Sequence, residues 1–164
     1  MTGIEEGRGS VVVDGPCWLR IDVDATVEAV TVPADGQYRR LRELLGGPTD
    51  RGIYHRRAIH YVQDGPQRTD ANWNLAAWAA ACLWRRTVLS YEIYGPVVVT
   101  GPDSDESEGL RGLDEDVARE LRACADAVMR CRERWRRMPV MSQEHLREVL
   151  TEAQRGMETG PEGA

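Results

Sequence analysis

The most apolar part of the chain runs from Ala71 to Thr100, and its pattern changes along the way. From Trp73 to Arg86 apolar residues recur at helical spacing in two stripes, which predicts a helix that needs cover on two sides. We expect Asp70 or Asn72 to cap its start, because a short polar side chain can accept a bond from a free backbone N–H. One stripe contains Trp73, Ala77, Ala80 and Trp84, and the other contains Leu75, Trp78 and Cys82.

Two strand patterns follow this helix. From Thr87 to Tyr94 apolar and polar residues alternate, which predicts a strand with one solvent-facing side. Gly95 and Pro96 interrupt the pattern, and Val97 to Val99 then predicts a short apolar strand.

The first part of the chain alternates more regularly. Residues 17 to 23 and Val27 to Val32 are separated by a short connection, which predicts an antiparallel hairpin, with Val11 to Val13 as a candidate edge strand before it. In the first strand, one face is expected to carry Cys17, Leu19, Ile21 and Val23, and the solvent-facing side Trp18, Arg20, Asp22 and Asp24.

A short helix and a buried strand are predicted next. Apolar residues from Tyr38 to Leu45 have helical spacing, and the Gly46-Gly47-Pro48 run ends the helix. The segment from Asp50 to Arg57 is polar and rich in arginine, whereas Ala58 to Val62 is typical of a central strand.

The last part of the chain is predicted to be a helical hairpin behind an acidic, solvated loop from Gly101 to Gly112. Pro139 separates its two helices, and Ser142 is expected to cap the second, which should end at Gly156. The seam of this hairpin, or another subunit, would cover the second stripe of the tryptophan helix. In the first helix the seam consists of Val117, Leu121, Cys124, Val128, Cys131, Trp135 and Met138.

These elements predict a single α+β domain over residues 11–156. Residues 11–100 would form a small mixed or antiparallel sheet with two helices, one of them rich in tryptophan and alanine, 101–112 the acidic loop, and 113–156 the antiparallel helical hairpin. Residues 1–10 are expected to be disordered or frayed, and 157–164 to form a loose tail.

Composition narrows the class of protein. The 164 residues are 41% hydrophobic and 29% charged, which is typical of a globular domain, and every basic residue is arginine. A formal net charge of -6 argues against attraction of the whole surface to nucleic acid or to an anionic membrane. The first ten residues do not resemble a secretory signal, so we expect a cytoplasmic location and no membrane contact.

Candidate catalytic and metal chemistry is sparse. Cys124 and Cys131 would lie about 10.5 Å apart along one helix, whereas two thiolates on one zinc ion are at most about 4.6 Å apart. His55 and His60 would face opposite ways on a strand. The sequence also lacks a nucleophile elbow, a phosphate loop and a GxGxxG motif, so we expect no metal, no cofactor and no enzymatic activity.

The strongest local charge is a run from Arg130 to Arg137 that contains five arginines and one glutamate. These arginines could complement the helix dipole and pair with Asp126 and Glu133, or they could grip phosphates or an acidic partner with Trp135 beside them. We call this run the arginine stripe, and its candidate binding residues are Arg130, Arg134, Trp135, Arg136 and Arg137. A second group of arginines could bind a phosphorylated ligand and comprises Arg39, Arg40, Arg51, Arg56 and Arg57.

Several segments together resemble an uncharacterised domain family of actinobacteriophages and actinobacteria, the family of domain of unknown function 3846. The resemblance covers roughly residues 25–123 and rests on VTVPADG, LRELLGG, AIHYVQDG, ANWNLAAWAAA, IYGPVVVTGPD and GLRGLDEDVARELRA, in that order. It implies a small α+β accessory protein of phage type. Asn74 would match a family asparagine at a helix start, and it joins the candidate binding residues, while Gly95 and Gly101 would match family glycines.

The leading expectation for function is a non-enzymatic module that binds a protein partner, with a host protein as one candidate. Two alternatives remain open, namely sequestration of a phosphorylated small molecule through arginines, and nucleic-acid binding through the arginine stripe, which is not favoured. A homodimer is possible as well.

Overall fold

The computed structural model describes residues 17–32, 35–65, 72–104, 109–135 and 143–159. These ranges contain five strands and four helices. The strands are β1 (Cys17–Ile21), β2 (Val27–Thr31), β3 (Thr49–His55), β4 (Ala58–Gln63) and β5 (Val97–Thr100). The helices are α1 (Gln37–Leu45), α2 (Leu75–Arg85), α3 (Glu115–Arg134) and α4 (Gln143–Glu158).

All strands join one antiparallel sheet in the order β2-β1-β5-β4-β3. The predicted hairpin of β1 and β2 is confirmed, with Cys17 opposite Thr31 and Ile21 opposite Val27. The β5 strand is the central one, and β4 lies between β5 and β3. The α+β class is therefore confirmed, and of the mixed and antiparallel alternatives the sheet is antiparallel.

The two faces of the sheet carry separate apolar cores. On one face α2 packs with α3 and α4 against Leu19, Ile21, Val97 and Val99. On the other face α1 covers a smaller core that contains Trp18, Val30, Val32, Ile59, Tyr61 and Val98. The expectation that Trp18 faces solvent is wrong, because its side chain is 0% exposed and α1 lies on that side.

The C-terminal helices form the predicted antiparallel hairpin over α2. In α3 the seam residues Val117, Leu121, Cys124, Val128 and Cys131 are all buried, and Trp84 of α2 donates an indole N–H to Glu120 of α3 at 2.7 Å. Helix α4 continues through Gly156 to Glu158, so the predicted end at Gly156 is wrong. Gly156 lies inside the helix and faces Ala123 of α3.

Two further predictions fail around α2. The segment 87–94 forms no strand apart from a single bridge of Tyr94 to Trp73, and its backbone instead accepts the indole N–H of Trp78 at the Tyr91 carbonyl. The polar segment from Asp50 onward, for which no strand was predicted, belongs to the edge strand β3.

The described parts of the acidic loop, residues 101–104 and 109–112, are held by hydrogen bonds. Asp103 and Leu110 form a bridge, Leu110 is 4% exposed, and the buried Gln37 exchanges two hydrogen bonds with the Leu110 backbone. A Cβ atom on Gly101 would overlap the Gly112 carbonyl, so this close return of the chain requires glycine. The candidate strand Val11 to Val13, the cap Ser142 and the seam residue Met138 lie outside the described residues.

Candidate functional site

Of the described arginines of the arginine stripe, Arg130 and Arg134 face glutamates of α4, whereas Arg132 donates to the Val23 carbonyl at 2.7 Å. Arg134 lies 2.6 Å from a carboxylate oxygen of Glu148 and 3.8 Å from Glu152, and Arg130 lies 3.9 Å from Glu152. The stripe therefore faces the second helix of the hairpin over this part of its length. Arg136 and Arg137 lie outside the described residues.

Trp135 belongs to the same contact. Its indole N–H donates to Glu148 at 2.8 Å, and its ring lies 4.5 Å from the His145 ring. This hydrogen bond, followed by that from Arg134, holds the pKa of Glu148 below its ordinary value. The half-buried Trp135 thus packs inside the hairpin beside the ion pairs.

Asn74, the other candidate binding residue, is 0% exposed and caps α2 in place of the predicted Asp70 or Asn72. Its side-chain oxygen accepts the Ala77 N–H at 3.1 Å, and its amide nitrogen donates to the carbonyls of Ile21 and Gly95, both at 2.9 Å. All three bonds go to the protein's own backbone and fix α2 to the sheet and to the 93–95 segment.

The second group of arginines is dispersed rather than gathered. Arg51 bonds to Asp103 at 3.1 Å, Arg57 reaches Asp114 and Asp116, and Arg40 pairs with Glu43 within α1. These arginines do not converge on one pocket. Arg57 instead ties the β3–β4 turn to the start of α3.

The described residues contain no group of three or more His, Cys, Asp or Glu side chains that could hold a metal ion. Burial raises the pKa of the thiols of Cys82 and Cys131, and raises that of Cys124 to about 12. These three buried cysteines are therefore neutral thiols at pH 7. Among the described helices, none combines the length and apolar character that a bilayer crossing requires.

A cavity of about 340 Å³ lies between the edge strand β3, the end of α2 and the 91–94 segment. We call it the tyrosine pocket. Its volume falls within the range of small-molecule sites, about 300 to 1,000 Å³. It is lined by Asp50, Arg51, Gly52, Ile53, Tyr54, His60, Val62, Arg85, Tyr91, Glu92, Ile93 and Tyr94.

A glycine in β3 makes room for the central ring of this pocket. A Cβ atom on Gly52 would lie 2.7 Å from the Tyr54 ring, so only glycine lets that ring fold over the strand. The pairing of β3 with β4 is irregular between Gly52 and His55, which re-aims the intervening side chains. Tyr91 then donates its hydroxyl proton to the Tyr54 hydroxyl oxygen at 3.0 Å and links the two sides of the pocket.

His60 forms part of the pocket wall and is 1% exposed. Its Nε2 lies 3.4 Å from the Ala77 carbonyl, which can only accept, so Nε2 carries the proton and Nδ1 is a bare acceptor. No described residue bonds to this Nδ1. Burial lowers the pKa of His60 to about 4, and the ring is held between those of Tyr54 and Trp84 at centroid distances of 5.1 and 5.5 Å.

The charged groups of the pocket differ in their bonding. The Arg51 guanidinium bonds to Asp103, and Asp50 accepts the backbone N–H of Arg51 at 2.8 Å. Arg85 and Glu92 line the same pocket, yet neither forms an ion pair or side-chain hydrogen bond with another described residue. The pocket therefore presents two uncommitted charges of opposite sign.

Sequence analysis did not predict this pocket. The sequence places His60 and Tyr91 on strands and Arg51 in the second group of arginines, and it gives His60 no partner for a metal site. Tyr54 and Tyr91 are 37 residues apart in the sequence, so no local sequence pattern predicts their contact. The one local signal is Gly52 within a polar segment, where glycine in a strand often marks a bulge or a close approach.

Comparison with family models, with curated proteins and with solved structures finds no match to this chain. The resemblance to the actinobacteriophage family therefore stays a hypothesis.

Proposed function

We propose that the protein is a non-enzymatic binding module whose ligand is a small polar molecule held in the tyrosine pocket. One observation carries this proposal: a cavity of ligand size is lined by a buried acceptor on His60 that has no partner among the described residues, and by two unpaired charges, on Arg85 and Glu92. Buried acceptors are rarely left unpaired, because each costs about 1 to 3 kcal/mol. A ligand donor or a bound water would complete the site.

The ionisation of the pocket favours binding over catalysis. A general acid or base works best when its pKa lies near the working pH. Burial raises the pKa of Tyr54, whereas it lowers that of His60 to about 4. Both groups are therefore neutral at pH 7 and far from the pH at which they exchange a proton.

The proposal departs from the expectation of a protein partner at the arginine stripe. Arg130 and Arg134 already lie against Glu152 and Glu148, so binding an acidic surface or a phosphate backbone would have to replace these ion pairs. It is closest to the small-ligand alternative, but places the ligand near Arg85 rather than among the second group of arginines. A phage origin, a cytoplasmic location, a host partner and a homodimer stay predictions.

Ligand screening by NMR tests the proposal. Amide resonances of 50–54 and 91–94 should shift with a library of amino acids, nucleosides, sugars and organic acids, and those of 130–135 should not. Tyr91→Ala should abolish the shifts, because this side chain is 49% exposed and closes the pocket. Tyr38→Ala is the matched control, since Tyr38 is 48% exposed on α1 and lies outside the pocket.

Binders that shift only resonances elsewhere, or that bind the Tyr91→Ala protein as well as the wild type, would contradict the proposal. Denaturation midpoints of both variants should stay near that of the wild type, because exposed side chains usually change stability by less than about 0.5 kcal/mol. The stability of the protein should increase with the concentration of any compound that binds, as mass action requires.

A further inference from the structure

The uncommitted charges of the tyrosine pocket select among small polar ligands. Elsewhere in the described chain, arginines that meet carboxylates pair with them, as Arg57 does with Asp116 at 2.7 Å and Arg134 with Glu148. Arg85 and Glu92 line one cavity and still make no such pair. Opposite charges that share an opening without neutralising each other can be bridged by a ligand that carries both signs.

Each charge fits one group of such a ligand. Arg85 offers a planar fork of N–H donors that matches a carboxylate. Glu92, together with the oxygen of Asp50 that does not accept the Arg51 N–H, offers acceptors for an ammonium group. A ligand with only a negative charge would be repelled by Glu92 and Asp50. A ligand with only a positive charge would be repelled by Arg85.

The remaining lining residues indicate which kind of side chain the ligand carries. The rings of Tyr54 and Tyr91 are joined through their hydroxyls, and Val62 and Ile93 supply aliphatic surface. Aromatic rings pair favourably with other flat rings, and their faces also attract ammonium groups. A flat, largely apolar side chain therefore suits the interior, while the charges suit the rim.

We infer that the ligand of the tyrosine pocket is a free α-amino acid or a close zwitterionic analogue with a flat side chain, its carboxylate on Arg85 and its ammonium group on Glu92 and Asp50. This inference rests on the proposed function and names the ligand class for that site.

Three probes with the same ring separate the two charges, namely L-phenylalanine with both, phenethylamine with the ammonium group alone, and 3-phenylpropionate with the carboxylate alone. In NMR titrations L-phenylalanine should bind the wild type roughly tenfold tighter than either single-charge probe, as expected for loss of one charge-assisted contact at a solvated rim. The shifted resonances should be those of 50–54 and 91–94.

Charge-removing variants identify the partner of each group. Arg85→Gln should weaken L-phenylalanine roughly tenfold and leave phenethylamine no weaker, whereas Glu92→Gln should weaken L-phenylalanine and leave 3-phenylpropionate no weaker. Arg86→Gln is the control for the first variant, because Arg86 is adjacent, exposed and outside the pocket. Glu28→Gln is the control for the second, since Glu28 is exposed on the opposite edge strand β2.

Two results would overturn the inference. One is equal affinity for all three probes, and the other is a loss on Arg85→Gln that is the same for phenethylamine as for L-phenylalanine. If the probes fail while other library compounds still shift the pocket in a Tyr91-dependent way, the proposed function stands and only the ligand class is wrong. If no compound shifts the pocket, both are wrong.

Discussion

Asn74→Ala should be among the most destabilising single substitutions in this protein. The change removes the cap of α2, which costs about 1 kcal/mol, and it withdraws two donated hydrogen bonds from the carbonyls of Ile21 and Gly95. Each buried carbonyl left without its donor adds about 1 kcal/mol at the low end of the usual range. The total is about 3 kcal/mol, a large share of the 5 to 15 kcal/mol that is typical of a domain.

Urea unfolding followed by circular dichroism measures this loss. Asn72→Ala is the control, because Asn72 is exposed and contributes only a backbone carbonyl, to the Gly95 N–H, so its change should stay within about 0.5 kcal/mol. Asn74→Asp keeps the capping oxygen but loses both donated bonds, and it should also destabilise strongly. A loss below about 1 kcal/mol for Asn74→Ala would refute the assignment of all three bonds to structure and reopen a binding role for this residue.

Four other substitutions or treatments have defined outcomes. Trp78→Ala should cost about 3 to 5 kcal/mol in urea unfolding, because the side chain is 1% exposed and donates to the Tyr91 carbonyl; a loss under about 1 kcal/mol would contradict this. The free energy of unfolding should fall as the pH drops from 6.5 towards 4, because His60 binds a proton in the unfolded chain but has a pKa of about 4 in the folded protein. The loss approaches about 3 kcal/mol, and His55, whose pKa burial also lowers, contributes with the same sign. The His60→Gln variant should show a flatter dependence of stability on pH. Arg134→Glu should lower stability more than Arg122→Glu on the same helix, and equal effects would speak against the Glu148 ion pair. Chelators should leave the melting temperature unchanged, and a large drop would reveal a metal site.

The elements that were predicted well are those whose packing repeats along the chain. The helix α3 follows a heptad-like pattern because one side meets α2 and α4 throughout, and β1 and β5 are apolar because they lie in the middle of the sheet. In these cases burial is imposed on every turn or every second residue, so the sequence carries the period of the structure.

The failed predictions have a physical cause as well. An alternating pattern states which side chains face the core, but a strand also needs a neighbour with free backbone groups. The segment 87–94 pairs with no strand of the sheet: it forms one isolated bridge, from Tyr94 to Trp73, and its Tyr91 carbonyl accepts the indole N–H of Trp78. Conversely, β3 is polar because it is an edge strand with little of its surface buried, and its partner β4 alone makes it a strand.

Charge runs and pockets show the same limit more sharply. The arginine stripe is open to two interpretations because arginine density does not reveal what faces it, and the fold places Glu148 of a different helix against Arg134. The charges that remain uncommitted in the tyrosine pocket, on Arg85 and Glu92, come from positions with no unusual local density. A binding site depends on charges left unpaired after folding, and pairing is a property of long-range contacts. The sequence can therefore propose where charge accumulates, while only the fold shows where charge is still available to a ligand.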